Sequence, residues 1–366
     1  MRISTKPFSE NLKSIANVVS DFIYIDCADE SNHAFYVSTN MQAMKIPLEI
    51  TDIKDDEKQI YVINKIEFTH LISYAKDYII LNSDYSYTTN DNQVKGKFDK
   101  NDGFVDELES RKILFDREDE YEEFMEVTPS IMNSITSGGI FVSPDSIKPS
   151  ERFLDIQHSK VFSYSNYKIY MNDIDMEENK EGLLSNEVIK SIQSLGIGAI
   201  VKSNNDSYLC TNAQRSIFEY FSTPNDVEFL PLFSEKFQGR LKESKSYNKV
   251  SFDIEELKAK LDYLSFYANK NPNKMCFLNI KNDRKFFIST DENTFVEVSA
   301  EITKTEEFDE MSVPIDCSSM QLVLSKLGKE VETWNMYISN ESSNKLIITT
   351  FGDTNETVIL AKLNTN

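Results

Sequence analysis

The chain has 366 residues, 40% hydrophobic and 11% aromatic, and a formal net charge of −21. That is enough for one large core or several ordinary ones, and so acidic a chain is soluble and not drawn as a whole to polyanions. The start, Met1-Arg2-Ile3-Ser4-Thr5-Lys6, lacks the apolar core of a secretion signal, no apolar run approaches the roughly 18 residues of a membrane span, and the scattered Cys27, Cys210, Cys276 and Cys317 predict buried thiols in a reducing cytoplasm.

Hydrophobic spacing predicts a first helix over Ser9–Val18, with Leu12, Ile15, Ala16 and Val19 on one stripe. Strands follow at Phe22–Asp26, Ala34–Ser38 and Met41–Glu49, then an acidic loop, Asp52–Lys58, and a strand at Ile60–Ile63. A second helix over Ile66–Lys76 leads into extended runs Tyr78–Leu81 and Tyr85–Thr88, the turn Asn90-Asp91-Asn92, and Gln93–Phe98. Residues Asn101–Glu123 hold so many Asp and Glu that they predict a connector with little buried apolar surface. After Phe124–Val127, Thr128 and Pro129 give an N-cap and a first-turn proline for a third helix, Ser130–Ser137. Strands are expected at Phe153–Gln157, Val161–Tyr164 and Tyr167–Met171.

Ser185 caps a fourth helix to Leu195, with Val188, Ile189, Ile192 and Leu195 inward. Ala199–Lys202, the turn Asn204-Asn205-Asp206 and Ser207–Cys210 follow. A second polar connector, Glu235–Asn248, leads to Asp253, which can cap a fifth helix with the stripe Ile254, Leu257, Leu261 and Leu264. Met275–Ile280, the turn Asn282-Asp283 and Arg284–Ser289 come next. A sixth helix from Ser318 carries Met320, Val323, Leu324 and Leu327, before Asn335–Ser339 and Lys345–Thr350.

A short helix followed by extended runs around an Asn/Asp turn therefore recurs along the chain, the signature of repeated modules. It predicts an α+β fold of three similar domains, 1–118, 119–245 and 246–366, each made of two helix-plus-antiparallel-sheet halves.

No phosphate-cradling glycine loop and no HExxH motif is present, and His33, His70 and His158 are far apart. Neither a zinc site nor a histidine-based triad is expected, and no cofactor is implied. The Asn/Asp clusters lack the alternating acids, central Gly and terminal Glu of a calcium loop; they read as hairpin turns, where Asn and Asp tolerate the left-handed conformation. Scattered carboxylates carry little signal for an enzyme.

Charge is spread unevenly. Over the six helix windows acids and bases cancel, so the acid lies elsewhere. The polar helix faces are expected to hold Asn11, Ser14, Asn133, Ser134, Ser191, Gln193, Ser194, Gln321 and Ser325, with a few lysines. An ordinary solvated face explains them. They also suit a surface that tolerates a phosphate backbone without reading bases.

Two short segments add a resemblance. Thr223-Pro224-Asn225-Asp226-Val227-Glu228-Phe229-Leu230-Pro231 is similar to the F-P-D-Y-x-x-V-L-P that ends domain two of the bacterial sliding clamp, the DNA polymerase III beta subunit family. Pro224, Leu230 and Pro231 match; Thr223, Asp226 and Phe229 depart. Val358-Ile359-Leu360-Ala361-Lys362-Leu363 resembles that family's closing apolar–M-P-M-R-L, with Lys362 and Leu363 alike in type. The family's T-D-G-H-R-L segment has its nearest place at Met171–Met176, where Met176 alone is comparable.

The resemblance implies a divergent, phage-encoded clamp of the bacterial type: a ring of the DNA-clamp type formed by two chains head to tail. It implies no enzyme activity, duplex DNA encircled without sequence preference, and a DNA polymerase and clamp loader as partners in a bacterial or infected-host cytoplasm. DNA-facing residues would be Lys13, Lys76, Lys190, Lys258, Lys260, Lys326 and Lys329. A groove for partner peptides would take Met176, Pro224, Phe229, Ile359, Leu360, Lys362 and Leu363. The competing reading is a β-rich structural or adhesion protein of a viral particle, which would be nearly all strand. An enzyme with an unrecognised carboxylate site ranks below both.

Overall fold

The structure, a computed structural model, describes residues 1–28, 33–39, 42–90, 94–106, 108, 112, 115, 118–165, 168–204, 207–212, 217–222, 247–270, 274–281, 285–291, 293–303, 310–327, 333–338, 346–351 and 357–361. The expected turns at Asp91-Asn92, Asn205-Asp206 and Asn282-Asp283, and residues 235–246 of the second connector, lie outside these. The chain forms two compact units, Met1–Met132 with Glu187–Asp226, and Asn133–Asn186 with Val227–Asn366.

In the first unit, helix α1 (Lys6–Asn17) starts earlier than the stripe predicted, because Pro7 occupies its first turn, where no N–H partner is needed. Its buried face is Phe8, Asn11, Ser14 and Ile15, while the expected inward residue Val19 is 86% exposed. Helix α2 (Lys65–Tyr74) is capped by Asn64, whose Oδ1 accepts from the Ile66 and Glu67 amides at 2.9 and 3.2 Å. Phe8 meets Phe35 and Phe68 edge-on at 5.1 and 5.0 Å, which fastens both helices to the sheet below.

Two antiparallel sheets build this unit. One has the order β5 (Ile50–Thr51), β1 (Arg2–Ser4), β7 (Tyr78–Leu81), β8 (Ser86–Thr89), β9 (Lys95–Lys97). The other has eight strands, β10 (Glu122–Glu126), β15 (Ile200–Asn204), β16 (Ser207–Asn212), β17 (Ile217–Ser222), β4 (Gln42–Pro47), β3 (Ala34–Ser38), β2 (Phe22–Asp26) and β6 (Ile60–Asn64). The seam is β17 on β4, with Phe218 opposite Lys45 and Phe221 opposite Gln42. Helix α4 (Asn186–Leu195) buries the predicted Val188, Ile189, Ile192 and Leu195 in this unit.

The acidic connector is more than a linker. Leu108 and Phe115, 0% and 8% exposed, join Tyr24, Tyr36, Val62 and Leu209 in one cluster. Lys112 between them pairs with the buried Asp26. The two apolar residues are seven apart in sequence, and the surrounding acids hide them from a composition reading.

The second unit takes most of helix α3 (Pro129–Gly139) and a nine-stranded sheet. Its order is β14 (Gly182–Ser185), β11 (Phe153–Gln157), β12 (Lys160–Ser165), β13 (Lys168–Asp173), β26 (Thr357–Ala361), β25 (Leu346–Phe351), β24 (Thr333–Ile338), β18 (Asn248–Asp253), β22 (Ala300–Thr303). Gly138 lets α3 lie close on it: a Cβ there would stand 2.5 Å from Leu154 Cδ1 and 3.1 Å from the Tyr170 ring. A four-stranded sheet, β21 (Phe295–Val298), β20 (Phe286–Ser289), β19 (Met275–Lys281), β23 (Glu310–Asp316), completes the unit with helices α5 (Ile254–Ala268) and α6 (Cys317–Leu327). Asp253 caps α5 as expected, accepting from the Glu256 amide at 2.8 Å. The core centres on Phe252, 6.1 Å from Phe286 and 6.3 Å from the fully buried Trp334.

Candidate nucleic-acid interface and partner groove

Four of the lysines that sequence singled out lie on described helices with described side chains, Lys13, Lys190, Lys258 and Lys260. In the first unit Lys13 is exposed on α1, Lys190 on α4, and Lys76 just beyond α2. In the second, Lys258 and Lys260 on α5 are half-buried, and Lys258 sits 4.0 Å from Glu255. Lys326 belongs to α6; its side chain, and all of Lys329, lie outside the described residues.

The uncharged polar residues behave differently from expectation. Gln193, Asn133 and Ser325 are exposed, but Asn11, Ser14, Ser134, Ser191 and Ser194 are buried. Small hydroxyl side chains let neighbouring elements approach closely, and each then needs an internal partner. Ser14 Oγ of α1 meets Ser194 Oγ of α4 at 2.6 Å. Asn172 Nδ2 donates to Ser134 Oγ at 2.7 Å. The face that looked solvated therefore helps bind elements together.

Beside the first of these contacts lies Glu219 on β17, 2% exposed and opposite Met44 of β4 and Cys210 of β16. Desolvation raises its carboxyl from the ordinary 4.5 to about 7, against the lowering effect of Ser191 and Ser14. The four cysteines are free and buried, as expected. Burial pushes the Cys27 thiol up to about 12, which leaves it unreactive. Among the described residues no group of three or more His, Cys, Asp or Glu is placed to hold a metal ion.

Sequence reasoning missed an apolar component on the exposed helix faces. Ile66 and Tyr74 of α2 are 74% and 62% exposed, with the His70 and Tyr74 rings 5.0 Å apart. Tyr263 and Phe266 of α5 are 56% and 64% exposed. The signal was present as i, i+3, i+4 spacing opposite the core stripe, but the expected helix stopped at Leu264 and cut it short.

Of the groove residues, Ile359 and Leu360 sit on β26, where Leu360 pairs with Lys168 and Ile359 with Ile169 of β13; their side chains lie outside the described residues. Met176 is half-buried three residues beyond β13, and its carbonyl accepts from Ser159 Oγ at 2.8 Å. Strand β26 thus lies beside β13, with Leu360 opposite Lys168 at the end of β13 away from Met176. Pro224, Phe229, Lys362 and Leu363 lie outside the described residues. No helix among the described residues is long and apolar enough to cross a membrane.

No protein-family model matches the chain, and no curated protein matches it. Solved structures do. A DNA polymerase sliding clamp from Pseudomonas aeruginosa matches with a TM-score of 0.76 at 9% identity, over 100% of this chain and 99% of that one. The DNA polymerase III beta subunit of Thermotoga maritima matches at 0.74 and 12% identity, over 100% and 99%. The Helicobacter pylori beta clamp bound to a DNA ligase peptide matches at 0.66 and 15%, over 100% of both. At such identities the likeness is one of fold, and the whole chain has the sliding-clamp fold.

Proposed function

We propose that this chain is a DNA sliding clamp, a ring-shaped processivity factor that encircles duplex DNA and tethers a DNA polymerase. The observation that carries the reading is the end-to-end likeness to sliding clamps. The reading takes three domains, 1–118, 119–245 and 246–366, each of two helix-plus-sheet halves, and the four described sheets support it as six halves. Among the described strands, β9 and β21 are sheet edges. Two copies meeting head to tail would pair those edges and close a ring, which also removes an aggregation hazard. Charge supports β9 of one copy against β21 of the other: Lys95 and Lys97 are exposed on β9, and Glu297 on β21.

Within such a ring the helices face the hole, and Lys13, Lys76, Lys190, Lys258, Lys260, Lys326 and Lys329 meet the phosphate backbone. Enclosure holds the DNA, so a few weak, sequence-independent contacts suffice and sliding stays fast. The work is mechanical and needs no catalytic group or cofactor. The groove beside β13 and β26, with Met176, Pro224, Phe229, Ile359, Leu360, Lys362 and Leu363, takes a peptide of the polymerase or the clamp loader. The Helicobacter clamp holding a DNA ligase peptide supports a peptide-binding surface on this fold. The setting is the cytoplasm of a bacterium or an infected host. A β-rich particle protein is disfavoured, because helices recur with every sheet half.

Retention on DNA tests the reading. Protein loaded on nicked circular DNA should stay bound through gel filtration in high salt and should leave when the circle is cut. Equal retention on circles and linear duplex overturns it.

A further inference from the structure

Helix α5 buries Ile254, Leu257, Leu261, Leu264 and Ala268. Its opposite side carries Tyr263, Phe266 and Tyr267, residues one helical turn apart that share a face. The Tyr263 and Tyr267 rings are 5.5 Å apart, and Phe266 meets Tyr267 edge-on at 5.3 Å and 89°. The Lys270 ammonium lies 4.4 Å from the Phe266 centroid and 5.3 Å from that of Tyr267. Two of these rings are more than half exposed, which is unfavourable unless something covers them.

The local charge points to the occupant. Each acid in the body of α5 is engaged: Glu255 with Lys258 at 4.0 Å, Glu256 by the Ser299 amide and hydroxyl at 3.3 Å, Asp262 by Gln321 Nε2 at 2.9 Å. Lys260, Lys270 and Lys274 form no ion pair among the described residues. From Tyr263 to Lys274 the chain holds two lysines and no acid, so on a protein of net charge −21 this end of α5 is locally basic as well as aromatic. Flat rings beside unpaired cations suit a polyanion that offers flat faces, namely unpaired nucleotides, since bases stack on aromatic side chains and phosphates take the lysines. A duplex hides its base faces, so the rings gain nothing from it.

We propose that the Tyr263–Phe266–Tyr267 face of α5, with Lys270 beside it, is a stacking platform for single-stranded DNA. This deepens the clamp reading, on which it rests for the presence of DNA at the helix layer. A strand left unpaired beyond the end of a duplex would be held there while the duplex slides.

Fluorescence anisotropy with a labelled oligothymidylate of about twenty nucleotides at low salt tests the platform, with duplex of equal length as control. The double variant Tyr263→Ala, Phe266→Ala should bind the single strand about tenfold or more weakly than wild type, with unchanged duplex binding. Tyr263→Phe with Phe266→Tyr should restore it, because both rings persist. Equal single-strand affinity in wild type and the alanine variant overturns the proposal, as does a wild type with no affinity for the oligothymidylate. A parallel fall in single-strand and duplex binding also overturns it. Both substituted side chains are exposed, and an unchanged thermal midpoint verifies folding. Retention on nicked circles separates the two readings: if circles retain both proteins and the single-strand difference is absent, the platform alone fails. If neither is retained while the difference persists, the clamp reading alone fails.

Discussion

Burial raises the Glu219 carboxyl from its ordinary 4.5 to about 7, and that shift has a direction in stability. The folded chain binds this proton more tightly than the unfolded chain, so stability falls as pH rises from about 4.5 and the loss is complete above about 7. Glu219→Gln keeps the shape without the charge. Its urea midpoint should exceed the wild-type value at pH 8, by as much as about 3 kcal/mol in unfolding free energy, and the difference should shrink at pH 5. A variant equally or less stable at pH 8 would show that Ser14 and Ser191 compensate the ionised carboxyl fully. Nothing in the sequence marked this residue. An acid inside Ile217–Ser222 looks like the solvent side of a strand, and only the packing of α1 and α4 over β17 reverses that.

At the scale of elements, regular patterns were legible and irregular ones were not. Phe22–Asp26, Ala34–Ser38, Tyr78–Leu81 and Phe153–Gln157 coincide with the expected strands. All six described helices were anticipated, because each repeats an apolar stripe. Helix α1 was misplaced on its stripe because Asn11 and Ser14 sit on the buried face, where a hydrophobicity pattern cannot see them. Strand β23 was missed although Met311, Val313 and Ile315 alternate inward; Pro314 and the acids at both ends obscured it. The connector around Leu108 was misjudged for the same reason, an apolar anchor diluted by charge. Leu108→Ala should lower unfolding free energy by about 2–4 kcal/mol, read from urea unfolding. An effect under about half a kcal/mol would mean that the segment merely rests on the sheet.

For the whole molecule, the sequence carries modules and a charge contrast, and the fold joins the described modules into four sheets. The apolar stripes of the helices could be named from the chain alone. Whether the groove side chains converge could not, since that depends on distant segments meeting. Self-association tests the edge pairing proposed above. Wild type should sediment as a dimer of the 42.2 kDa chain. Lys95→Glu with Lys97→Glu should shift it to monomer, because like charges would then face each other across the paired edges. Adding Glu297→Lys should recover part of the dimer. A double variant that stays fully dimeric would place the contact elsewhere.

The β13–β26 ladder has a consequence for how the chain comes to be folded. Lys168 pairs with Leu360, partners about 190 residues apart, so this contact is slow to find and available only once residue 360 has been made. Until residues 357–361 leave the ribosome, β13 presents an open strand edge with nothing to bond it. A nascent neighbour offering the same C-terminal strand can fill that edge first and yield a swapped pair. Crowded translation of this message therefore favours chains exchanged at β26, and sparse translation favours chains that close on themselves.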